Sequence, residues 1–91
     1  MSTNSTVGGW TIYSTTISSA AKKAFDDALK GLVGVGYEPL AVASQLVSGT
    51  NYRFFCNAKV VYPGAPNQAA LVQIYQPAQG QAHITSIKIV D

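Results

Sequence analysis

One cysteine, one histidine and one tryptophan are all that this 91-residue chain holds of three residue types that often carry chemistry, and its only methionine is the first residue. A lone Cys56 excludes an intramolecular disulfide and leaves no thiolate cluster for zinc, so neither a metal nor a cofactor is expected. A nucleophile pair would have to join Cys56 to His83 with a third group orienting them. The alternation around Cys56 instead puts it on the inward side of a strand, as a small buried apolar residue. His83 opens the last strand beside a turn, as a solvated or locally bonded side chain. Asp26 and Asp27 are adjacent and leave a helix in different directions, so they are not a carboxylate pair acting on one substrate. The expectation is therefore a protein that is not an enzyme.

Charge is equally sparse, at 11% of residues and a net +2. Lys22, Lys23, Lys30, Arg53, Lys59 and Lys88 form no run longer than one pair, which is poor equipment for a phosphate backbone. Arg53 and Lys59 share one side of a strand and make at most a weak basic face toward an acidic partner. Trp10, Tyr13, Tyr52 and Phe54 read as core rather than as a platform for stacked bases. There is no apolar run of membrane-spanning length, and the polar stretch from Ser2 to Thr6 has no basic start leading into an apolar segment. A cytoplasmic protein without nucleic-acid or membrane partners is expected.

What the chain does have is 47% hydrophobic residues spread over its length, enough for one core. Residues 1–6 read as a flexible tail and 7–91 as a single domain. Val7 to Ile17 is β-rich after two glycines and predicts a first strand. Ser18 or Ser19 can cap a helix in which Ala21, Phe25, Ala28, Leu29 and Leu32 recur on one face, ending between Lys30 and Val33 as glycines accumulate. Leu40 and Val42 alternate with smaller residues in a strand that has Pro39 near its start. Tyr52 to Tyr62 is the clearest strand, with Tyr52, Phe54, Cys56, Ala58 and Val60 facing the helix. Turn residues 63–67, a strand from Ala70 to Gln76, a second turn over 77–81 and a strand from His83 to Val90 complete the chain. The expected fold is α+β, one helix wrapped by a four- to five-stranded antiparallel sheet. Phe25, Leu29 and Leu32 are expected to meet Leu40, Phe54, Val60, Ile74 and Ile87 or Ile89 in its core.

Such a sheet brings three separated pieces to one end: Gly8-Gly9, the turn at Gln45-Leu46-Val47-Ser48-Gly49, and the turn at Pro77-Ala78-Gln79. Gly49 permits positive φ or a close backbone approach, Ser48 keeps the tip narrow, and Gln45 can hydrogen-bond across the loop base. The Gln45 to Gly49 stretch with Thr50-Asn51-Tyr52 after it fits the Gln-x-Val-x-Gly hairpin of the cystatins, and Val7-Gly8-Gly9-Trp10 resembles the opening of plant cystatins. The likeness spans nearly the whole chain. It departs at the second hairpin, where relatives often carry Pro-Trp or Leu-Pro and this chain reads Tyr75-Gln76-Pro77-Ala78. A buried interface tryptophan can contribute ~2 kcal/mol or more.

The resemblance implies a cystatin-like fold of the stefin or plant kind and reversible, tight inhibition of papain-like cysteine proteases. Val7, Gly8 and Gly9 would lie along one side of the protease cleft, Leu46, Val47, Ser48 and Gly49 over its thiol with Gln45 at the base of that protease-binding loop, and Pro77, Ala78 and Gln79 on the far side. A monomer is the implied active form. Relatives also exchange strands by opening the first hairpin, which would give a domain-swapped dimer with the tip hidden. The competing expectation is a non-inhibitory binding or structural module of the same fold, using either the sheet face that carries Phe55 and Val61 or self-association, such as the domain-swapped dimer.

Overall fold

The structure, a computed structural model, describes residues 9–90. The tail at 1–6 and the candidate contacts Val7 and Gly8 lie outside the described residues. A helix, α1 (Ser19–Leu29), precedes four strands, β1 (Val35–Val47), β2 (Gly49–Val60), β3 (Asn67–Gln76) and β4 (His83–Val90). The strands form one antiparallel sheet in the order β1-β2-β3-β4, so each hairpin joins spatial neighbours. Among the described residues no helix is long and apolar enough to cross a membrane.

The helix starts where its cap does. Ser18 sits at extended φ/ψ and its hydroxyl accepts from the Ala21 amide at 3.1 Å. Lys22–Asp26 and Lys23–Asp27 bridge successive turns at 2.6 and 2.7 Å, which settles both aspartates as helix-surface ion pairs. The hydrogen bond and charge of Asp27 hold the Lys23 ammonium above its ordinary pKa. Lys30 leaves helical geometry, and Gly31 follows at φ 86°.

One face of the sheet packs on the helix. Ala21, Ala24 and Phe25 meet Val42, Phe54, Cys56, Val72, Ile74 and Ala82, with the Phe25 and Phe54 rings edge to face at a 4.8 Å centroid distance. Tyr52, Tyr37, Ile17, Leu29 and Ile84 fill the margins. Burial raises the pKa of the Tyr52 phenol.

Expectations for the N-terminal segment and for the core need correction. No strand forms over residues 9–17, so the sheet has four strands. Instead Trp10 and Ser14 make isolated antiparallel bridges to Gln45 and Val42 along the β1 edge, with Ser14 and Val42 exchanging two 2.9 Å backbone bonds. The Ser14 hydroxyl accepts from the Thr16 amide two residues on, a local turn that competes with continued pairing.

The core is also smaller than expected. Leu32 and Leu40 are 44% and 45% exposed, and Val60, Ile87 and Ile89 are exposed too. Leu40 is the extra residue of a β-bulge between Pro39 (paired with Cys56) and Ala41 (paired with Phe55). The bulge reverses the inward phase from Tyr37 and Pro39 to Val42, and because β1 is the edge strand the missing donor of Pro39 is tolerated. Ile87 and Ile89 do face the helix side, opposite Val72 and Ala70. The 11-residue helix is only ~16 Å long and cannot cover strands of up to 13 residues.

Finally, Tyr13, read as core, is exposed at 44%.

Candidate functional site

The β1–β2 hairpin closes with Val47 opposite Gly49 and only Ser48 between them. Gly49 adopts φ 102°, a backbone that L side chains rarely take. A Cβ there would also lie 2.5 Å from the Gln76 carbonyl oxygen, 2.7 Å from Tyr75 Oη and 3.1 Å from Pro77 Cα. Glycine is thus required twice, by conformation and by the second hairpin pressed against it. The Tyr75 hydroxyl completes the junction by donating to the Ser48 carbonyl. Below the tip, Asn51 Nδ2 donates to Gln45 Oε1 at 2.9 Å, the cross-base bond expected of Gln45.

The second tip is fastened from within. Gln76 Nε2 donates to the carbonyls of Pro77 and Gly80, both at 3.0 Å, and Gly80 turns the chain at φ 115°. Gln81 Nε2 reaches the Asp27 carbonyl at 3.3 Å, tying the turn to the helix end. Pro77 is half-buried while Ala78 and Gln79 are exposed.

The third piece arrives along β1. Trp10 bridges to Gln45, and the Thr11 amide donates to Ser44 O while the Ser44 amide donates to Thr11 Oγ1, both at 2.9 Å. The Arg53 guanidinium stacks 4.0 Å above the Trp10 ring and donates through Nε and Nη2 to Gln73 Oε1 at 3.3 Å. Trp10 is therefore a half-buried clamp on the outer sheet face rather than core.

Gly9 beside Trp10, the Gln45 to Gly49 turn and Pro77 thus share one end of the sheet. Leu46 and Val47 stay 44% and 41% exposed there, presenting apolar surface on a turn whose backbone is already fixed. Sequence reasoning missed Tyr75, Asn51, Gln76 and the Arg53–Trp10 pair. Tyr75 had a readable signal, a large polar-tipped side chain two residues before Pro77 in the outward phase of β3.

Cys56 and His83 lie on opposite sides of the sheet. Cys56 is fully buried on the helix side, where burial pushes its thiol up to about 12. His83 pairs with Tyr75 in the outward phase and sets its ring edge-on to the Tyr75 ring at 5.8 Å. Among the described residues, no three His, Cys, Asp or Glu side chains gather as metal ligands. What this end of the molecule can offer is shape, apolar contact and backbone groups. Comparison with protein-family models, with curated proteins and with solved structures finds no significant match.

Proposed function

We propose that the protein is a reversible inhibitor of papain-like cysteine proteases that acts by filling the active-site cleft. The observation that carries this reading is the junction of Gly49 and Ser48 with Tyr75, Gln76 and Pro77, which sets two turns side by side as one edge. Leu46, Val47, Ser48 and Gly49 supply the central contact, Pro77, Ala78 and Gln79 the flank, and Val7, Gly8 and Gly9 the contact on the other side. Fixing the turns beforehand lowers the ordering entropy lost on binding. No peptide bond is presented for cleavage. The edge blocks by occupancy, over a patch of roughly 800 Å² per partner. The monomer is the active form, and a strand-swapped dimer that straightens the Val47 to Gly49 turn is inactive.

The test is titration of papain with purified monomer while following hydrolysis of a fluorogenic peptide. Loss of activity that reaches completion near equal molar amounts, weakened by deleting residues 1–9, is expected. Unchanged hydrolysis at large molar excess of inhibitor ends the proposal. Because the second turn lacks a large anchor, replacing Ala78 with Trp is expected to tighten inhibition by up to about thirtyfold.

A further inference from the structure

The face of the sheet turned away from the helix carries a groove of split polarity. One half, about 420 Å³, is lined by Tyr13, Ala41, Phe55, Leu71 and Val90. The other, about 230 Å³, is lined by Arg53, Leu71, Gln73, Ser86 and Lys88. The two share Leu71, and the sheet register explains the join. Ala41, Phe55, Leu71 and Lys88 form one cross-strand row, and Ala43, Arg53, Gln73 and Ser86 form the next. The apolar half and the cationic recess therefore meet at Leu71.

Among the described residues the charge of the recess has no ion-pair partner. Among the described residues the ion pairs are Lys22–Asp26 and Lys23–Asp27, both on the helix, and no carboxylate lies within ion-pair reach of Arg53 or Lys88. Arg53 is held flat between the Trp10 ring and Gln73 Oε1, so its guanidinium is oriented before any ligand arrives. The Ser86 hydroxyl adds a polar group to the lining. A second copy is a poor occupant, because symmetric pairing over this face would set Arg53 and Lys88 against the same cations.

We propose that this outer face binds a soluble amphiphilic carboxylate, its headgroup between Arg53 and Lys88 and its alkyl or aryl body over Leu71, Phe55 and Val90 beneath Tyr13. The small recess suits a headgroup, and the larger apolar half suits a single chain or ring system. With Nε and Nη2 of Arg53 already donating to Gln73, the Nη1 end of the guanidinium is the part that meets a carboxylate, and Lys88 adds a point charge.

The experiment is calorimetric titration of the full chain with decanoate below its micellar range, with Trp10 fluorescence as a second readout. Saturable one-to-one binding is expected, with 1-decanol binding more weakly and added salt weakening decanoate selectively. Arg53→Gln is expected to weaken decanoate about tenfold or more. Arg53 also clamps Trp10, so Lys88→Gln, which breaks no ion pair among the described residues, is the cleaner variant and is expected to cost about threefold. Phe55→Ser should weaken decanoate and decanol alike. The proposal is overturned if decanoate shows no saturable binding, if decanol binds equally well, if Lys88→Gln and Phe55→Ser both leave the affinity unchanged, or if the protein binds only vesicles of phosphatidylglycerol.

Discussion

Gly49 concentrates the constraints at the scale of single residues. Its φ of 102° and the 2.5 Å approach of a would-be Cβ to Gln76 O act together, so alanine there must both strain the backbone and push the hairpins apart. Gly49→Ala is expected to destabilise the protein by ~2 kcal/mol or more in urea unfolding and to weaken papain inhibition in parallel. Tyr75→Phe removes only the hydroxyl that reaches Ser48. Because that carbonyl is near solvent, the expected loss is ~1 kcal/mol or less.

Cys56 offers a pH test. Its folded thiol titrates near 12 against an ordinary 9.0, so the unfolded chain releases the proton first. The stabilisation is fully present below pH 9 and is lost as pH rises from there toward 12. Cys56→Ala should lack this component of the alkaline loss of stability, as measured by urea midpoints at increasing pH. The native thiol should also resist alkylation until the protein unfolds.

Elements differ in how much of themselves the sequence reveals. The helix was legible because its signals are local: the Ser18 hydroxyl, the three-to-four spacing through Ala21, Phe25, Ala28 and Leu29, and Gly31 at its end. Ser18→Ala is expected to cost ~1 kcal/mol. The β2 alternation was equally plain, and Phe54, Cys56 and Ala58 are buried as it requires. Phase broke down in β1, since a bulge adds one residue without a composition signal and turned Leu40 out. Leu32 was misplaced for another reason, since the chain has already left the helix at Gly31. Unfolding measurements should separate these positions, with Phe54→Ala costing ~3–5 kcal/mol and Leu40→Ala under ~1 kcal/mol. Composition predicts a strand in the N-terminal segment because β-propensity cannot distinguish a full ladder from two bridges. In the candidate edge, the turns themselves were legible from Gly49 and Pro77. The tie between them was not, because it joins Ser48 to Tyr75 across 27 positions.

On the scale of the whole molecule, the antiparallel order places the β1–β2 and β3–β4 turns at the same end of the sheet and leaves its outer face uncovered by the helix. The proposed protease edge uses that end, and the proposed amphiphile groove uses that face. Arg53 links the two through its stacking on Trp10. The most direct measurement is amide hydrogen exchange of the protein alone and with papain whose active-site thiol has been alkylated with a small group. New protection over residues 45–50 and 75–80, with β2 residues 55–59 unchanged, is the expected result. Protection confined to the outer face, or none at all in a complex shown to form, would contradict the occluding edge.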